Sequence, residues 1–226
     1  DLSSLNVGSI PNLNHLDCHG NSITNLDVSG AAALQDLNCM DNGMTSLNIA
    51  GLANLTWLGC SYNPLGSLDL SGVNLQYLTC GNNNLTSLDI SGMPALNYLI
   101  CWNNSISTLD LSNHPALTGV QCNNNLLTSL DFSSNPLFQF LQCDNNPLLE
   151  TIIIKNGNPN QNPFLNDSWA NLPQLTYVCA DEGEIDMVNT ILAAGGNTSV
   201  SVNSYCSFTP GGDYNTISAS TQFDED

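Results

Sequence analysis

Basic side chains are almost missing. The chain has one lysine, Lys155, and no arginine, against 20 acidic residues, so its formal charge is 1 − 20 = −19. A nucleic-acid surface needs Lys and Arg to displace counterions from phosphate, which excludes DNA and RNA as partners. A polybasic attachment to anionic lipid is excluded for the same reason. No apolar run approaches the ~18 residues of a membrane-spanning helix, so no span is expected. Catalytic signatures are missing too. There is no Gly-x-Ser-x-Gly elbow, no phosphate-cradling Gly-Lys loop and no His-Glu-x-x-His. Catalysis needs groups that converge in a pocket, and the residues give no sign of one, so the chain reads as a non-enzyme.

What the chain does contain is repetitive. Leucine and asparagine each occur 34 times in 226 residues, which points to a repeat. Nine cysteines stand at 18, 39, 60, 80, 101, 122, 143, 179 and 206. The first seven are spaced 21, 21, 20, 21, 21 and 21 residues apart. Each sits in the frame L-x-x-L-x-C-x-x-N, as in Leu96-x-x-Leu99-x-Cys101-x-x-Asn104. The Asn three residues after Cys is present in all seven: 21, 42, 63, 83, 104, 125 and 146. The second half of each unit reads L-x-x-L-D-L-S-G, as in Leu85-Thr-Ser-Leu88-Asp-Ile90-Ser-Gly92. Both halves share L-x-x-L-x-apolar, so a half-repeat of about ten residues is nested in each coil.

Alternation of the L-x-L or L-x-C type sends every second side chain to one face of a strand. A Leu three residues earlier turns the coil inward. One coil cannot bury its leucines, whereas stacked coils can. The inward Asn is polar, and its amide is placed to cap backbone groups of an adjacent coil.

The pattern resembles the leucine-rich repeats, and specifically the nested 21-residue bacterial class known as IRREKO, L-x-x-L-x-C-x-x-N-x-L-x-x-L-D-L. The match runs over about residues 2–154, with Val120 and Phe138 in place of Leu and Asn48 in place of Asp. The resemblance implies a β-rich leucine-rich-repeat solenoid. Both half-repeats supply short parallel strands, and a small α/β cap closes the C-terminal end.

Three regions are expected: a solenoid over 1–155, a cap over 156–206, and a linker with the start of a further module over 207–226. The chain opens in the second half of a coil, which reads as a fragment or a processed form. Residues 156–163 are rich in turn formers, and 168–173 hold a short helical turn. Leu175 to Cys179 and Val200 to Val202 read as strands. Between them Asp181 N-caps a helix with Glu182 and Glu184 in its first turn and Ile185, Val188 and Leu192 on its apolar face. Gly195-Gly196 ends it. The stretch 203–212 is similar to junctions in large proteins secreted by the bacterial type IX route.

Ladder cysteines on adjacent coils have parallel Cβ vectors about 4.8 Å apart, beyond bridging distance, so they read as buried small hydrophobes. Cys179 and Cys206 lie outside the ladder. For them a disulfide and a pair of core thiols are both open.

Outward positions carry the candidates for function. The position three before Cys reads His15, Asp36, Trp57, Tyr77, Tyr98, Gly119 and Phe140. Trp102 and Tyr62 lie at its border. Exposed aromatics on a rigid face invite a partner, and Tyr and Trp among Asn and Gln also suit sugar rings. The opposing reading is cross-strand stabilisation. A second column, Asp27, Asn48, Asp69, Asp89, Asp110 and Asp131, is either a solvated acidic face or a weak collector of Ca²⁺. His15, Asp17 and His19 share a strand face, with Asp36 on the next coil. His15 and His19 are about 13 Å apart along a strand, so only a pair such as His15 with Asp36 could share a metal. No cofactor is otherwise implied. The expected function is extracellular recognition or adhesion, binding a polysaccharide or a cell-surface protein through Trp57, Tyr77, Tyr98, Trp102, Tyr62 and Phe140. The alternative is a structural spacer among further domains of a larger surface protein.

Overall fold

The computed structural model describes residues 1–158 and 169–206. The linker and further module expected over 207–226, and most of the turn-rich stretch of the cap, lie outside the described residues. Every strand is three residues long and every pairing is parallel. Along the Cys-bearing side run β2 (His15–Asp17), β4 (Asp36–Asn38), β5 (Trp57–Gly59), β6 (Tyr77–Thr79), β7 (Tyr98–Ile100), β8 (Gly119–Gln121) and β10 (Phe140–Gln142). They form one seven-stranded sheet in which each coil pairs with the next in strict register. Leu37, Leu58, Leu78, Leu99, Val120 and Leu141 stack inward behind it and are fully or almost fully buried.

The second half-repeats are strands at the two ends of the solenoid. β1 (Ser4–Asn6) pairs with β3 (Asn25–Asp27) at one end. At the other, β9 (Ser129–Asp131), β11 (Thr151–Ile153), β12 (Tyr177–Cys179) and β13 (Ser201–Asn203) form a four-stranded sheet. In the central coils 46–48, 67–69, 87–89 and 108–110 occupy the equivalent place without strand pairing. Their leucines still point inward, with Leu47 and Leu88 buried and Leu68 and Leu109 half-buried against the core.

Asparagine, rather than strand pairing, ties the coils together inside the turns. Asn63 Nδ2 donates to Cys39 O at 3.1 Å and to Cys60 O at 3.0 Å, so one amide bridges two coils. Its Oδ1 accepts from the Met44 amide at 3.1 Å. Asn42, Asn83, Asn104, Asn125 and Asn146 each donate in the same way to the carbonyl of their own Cys and that of the preceding coil. Asn63, Asn83, Asn125 and Asn146 are buried. A side-chain amide offers two donors and an acceptor, which is the set this turn consumes.

The cap begins where the pattern breaks. Phe132 and Phe138, both in place of repeat residues, stack at 3.7 Å inside the last full coil. After β12 a 3₁₀ turn, Glu182–Glu184, leads into α1 (Ile185–Ala194), which crosses to β13. Asp181 is the N-cap of that turn, and the Asp181 amide donates to Glu184 Oε2 at 3.4 Å. Asp181 Oδ2 also accepts from the amides of Asn156 and Gly157. Cys179 and Cys206 are joined by a disulfide with Cα atoms 5.2 Å apart, which ties the last strands together.

Glu184 is buried. Burial pushes its pKa up to about 7 from an ordinary 4.5, and the Asp181 carboxylate adds to the rise, while the Asp181 amide opposes it. The folded cap therefore holds a proton that the unfolded chain releases. That contribution is fully present below about 4.5 and is lost as pH rises through about 7. Glu184→Gln is expected to stabilise the chain by about 2 kcal/mol at alkaline pH and hardly at all in mild acid. Thermal melts of the two proteins at both pH values measure the difference.

Candidate functional site

The Cys-bearing sheet carries the aromatic residues, and glycine decides how they lie. Trp102 is half-buried. Its indole lies over Gly81 of the preceding coil, where an added Cβ would stand 2.7 Å from the ring. Tyr98 covers Gly119 of the following coil in the same manner, and Trp57 covers Gly59 of its own strand. Each of these rings occupies the room that a Cβ on the glycine would fill. Tyr98 also stacks on Phe140 at 6.0 Å, two coils away, across the gap that Gly119 leaves. Gln121 Nε2 donates to the Tyr98 hydroxyl at 3.2 Å. Tyr77 stands between Trp57 and Tyr98 in register and is 44% exposed.

Trp102 reaches back over Gly81 to meet Tyr62 edge-on at 5.2 Å. The turn that holds Tyr62 follows a rule. The second residue after each ladder Cys has positive φ: Gly20, Asp41, Tyr62, Asn82, Asn103, Asn124 and Asn145. This left-handed region favours Gly and Asn, and a bulky residue in it is an outlier. Tyr62, at φ 59°, is the one aromatic in the column and is 50% exposed. Such a conformation costs about 1–3 kcal/mol and persists where surrounding structure over-determines it. Here the backbone does so: the Tyr62 amide donates to Gly81 O at 2.9 Å, continuing the sheet's hydrogen bonds into the turn.

The six residues expected on this face thus fall into three pairs. Tyr98 and Phe140 form one, and Tyr62 and Trp102 the other, while Trp57 and Tyr77 pair in register between β5 and β6. The supporting glycines were not foreseen as part of the face. Gly59, Gly81 and Gly119 break the outward columns at the places where a neighbouring ring is large, and that complementarity is readable in the aligned coils.

The acidic column has a local role. In each full repeat the Oδ1 of this column accepts from the amide two residues on, as from Ser29 to Asp27 at 3.0 Å, Ala50 to Asn48 at 3.0 Å, Ser71 to Asp69 at 2.9 Å and Ser133 to Asp131 at 2.9 Å. The Ser29 and Ser71 amides, and then their hydroxyls, hold Asp27 and Asp69 below the usual carboxylate range. For Asp89 and Asp110 the Ser91 and Ser112 hydroxyls lead and the amides follow. Each carboxylate closes its own turn.

The histidines separate into pairs. His15 Nδ1 stands 3.8 Å from Asp36 Oδ2, and His19 Nδ1 lies 2.6 Å from Asp17 Oδ1. That contact with His19 holds Asp17 below its usual range. Among the described residues no three His, Cys, Asp or Glu side chains gather closely enough for one metal ion. The seven ladder cysteines are unbridged and buried. Burial pushes Cys60 and Cys101 up to about 12, so their thiols are protonated at neutral pH.

No helix among the described residues is long and apolar enough to cross a membrane. No family model matches the chain, and no curated protein sequence matches it. Similar solved structures include two from bacteria. The functional domain of InlJ from Listeria monocytogenes, which includes a cysteine ladder, is 26% identical with a TM-score of 0.59, over 89% of this chain and 53% of that one. A leucine-rich-repeat protein of Leptospira interrogans is 19% identical with a TM-score of 0.60, over 87% of this chain and 50% of that one. The chain therefore spans about half the length of each of these structures. With parallel strands stacked coil on coil and one small helix at the C-terminal end, its fold is a leucine-rich-repeat solenoid like those of these bacterial proteins.

Proposed function

We propose that the chain is a non-catalytic extracellular recognition module that binds a protein partner through the aromatic face of the seven-stranded sheet. One observation carries this reading. Aromatic rings on four of the coils lie on the sheet over glycines or beside one another, each with surface open to solvent. Rings already held by their neighbours bind with little loss of side-chain freedom. An extracellular setting is supported by the Cys179–Cys206 disulfide, since such bonds persist in oxidising compartments. In this reading the module sits within a longer secreted surface protein.

The test is retention of candidate surface proteins, and of insoluble polysaccharides in parallel, on the immobilised chain and on Trp57→Ala/Tyr98→Ala. A protein retained by the chain and lost at least tenfold by the double variant, with unchanged circular dichroism, is the expected result. Loss of a polysaccharide instead places sugar on the same face and replaces the protein reading. Equal behaviour of the two proteins on every surface leaves the face a structural spacer.

A further inference from the structure

The strained turn at Tyr62 has little structural return beyond the edge-on contact of its ring with Trp102. The ring is half exposed, so burial does not offset the left-handed backbone, and Asn occupies the equivalent place in four other coils. Beside the ring is a hollow of about 260 Å³ lined by His19, Met40, Asp41 and Tyr62. Trp102 backs the ring from the other side, edge-on at 5.2 Å. The hollow combines an aromatic ring, a thioether and a carboxylate, and Asp17, paired to His19 at 2.6 Å, adds a second carboxylate behind the imidazole. The chain's one Lys, Lys155, lies far along the chain in the cap and donates to Ser204 O at 2.8 Å.

We infer that this hollow is the seat for a basic side chain, lysine or arginine, of the partner protein. The inference rests on the recognition reading above. Charge complementarity selects the occupant: the chain carries −19, and positive charge is what this surface lacks. The chemistry fits part by part. The methylene stem of the incoming side chain packs on Met40 and the Tyr62 ring, as long basic side chains do on apolar surface. The cationic head meets the Asp41 carboxylate and the open face of the ring. Trp102 fixes the plane of that ring, and Gly81 leaves Trp102 the room to do so. Tyrosine at this left-handed position is retained for binding at the expense of stability.

Tyr62→Asn separates the two roles, because it keeps the net charge and supplies the residue the turn prefers. The probe is a tetralysine peptide, titrated calorimetrically into the full chain at physiological ionic strength, where remote charges are screened. Its Nε-acetylated form is the control. Tyr62→Asn is expected to weaken tetralysine binding at least fivefold while the melting temperature holds or rises by a few degrees. Asp41→Asn is expected to weaken it comparably. Acetylation should abolish the Tyr62-dependent part. Unchanged tetralysine affinity in Tyr62→Asn would overturn the inference and reduce the association to general attraction by an acidic chain. That outcome leaves the aromatic face to its own test, whose variants spare Tyr62.

Discussion

Replacing Asn83 by leucine is expected to destabilise the solenoid by about 4 kcal/mol. The substitution keeps the branching at Cγ, removes every polar atom and adds bulk, which itself costs about 1–3 kcal/mol in a packed site. Asn83 is fully buried, donates to Cys60 O at 3.1 Å and Cys80 O at 2.9 Å, and accepts from the Asn63 amide at 3.0 Å. Leucine strips the buried Asn63 amide of its acceptor, at about 1–3 kcal/mol, and takes one of two donors from each carbonyl, since Cys60 O keeps Asn63 Nδ2 and Cys80 O keeps Asn104 Nδ2. Relaxation of the turn toward water lowers the total. Asn83→Asp is expected to be as damaging, because a carboxylate cannot donate to two carbonyls and is itself costly to bury. The neighbouring Asn82 is exposed, with φ 57°. Asn82→Gly should cost less than about 0.5 kcal/mol, since glycine accepts that backbone. Urea unfolding of the three variants measures the contrast. Equal stabilities for Asn83→Leu and Asn82→Gly would show that the ladder is decorative.

The second large effect is expected at the close of the repeats. Phe132 and Phe138 are buried and stacked at 3.7 Å. Phe132→Ala leaves a cavity beside Phe138 and should cost about 3–5 kcal/mol. Restoring the repeat's own residue at both positions, Phe132→Leu with Phe138→Leu, should cost less than the sum of the two single Leu variants. The pair changes volume together, and the coupling should be about 1 kcal/mol. A double-mutant cycle in urea reads it. Additive single effects would show that the two rings pack independently.

Much of this architecture was legible in the sequence because one period governs it. A cysteine every 20 or 21 residues located the sheet, and the Asn three residues on located the inter-coil hydrogen bonds. The cap was legible for local reasons: Asp181 begins its first turn and Gly195 follows its helix. What the repeat did not reveal is the unequal behaviour of its halves. L-x-x-L-D-L predicts a strand on every coil, yet only the terminal coils pair there. Such pairing depends on the geometry between neighbouring coils, which a single coil's pattern does not encode.

The candidate site was legible as a column of aromatics and illegible as a surface. Spacing placed Trp57, Tyr77 and Tyr98 side by side, as β5, β6 and β7 confirm. It did not show that Tyr98 leans across Gly119 to Phe140, or that Trp102 leans back across Gly81 to Tyr62. Long side chains choose their direction from the space their neighbours leave, and that space comes from glycine in adjacent coils. The acidic column shows the converse. Its regularity was read as a solvated acidic face or a weak collector of Ca²⁺ and did not show that each carboxylate accepts, through Oδ1, from an amide two residues ahead.

In the proposed function the partner sits on the aromatic face. Hydroxyl-radical labelling of the chain, free and with its retained partner, tests it most directly, because exposed Trp and Tyr rings are the side chains being read. Tyr77, Tyr62, Trp57 and Trp102 are expected to lose labelling on binding while Leu148, exposed near the cap, is unchanged. Protection of Leu148 with full labelling of the four aromatic residues would contradict it.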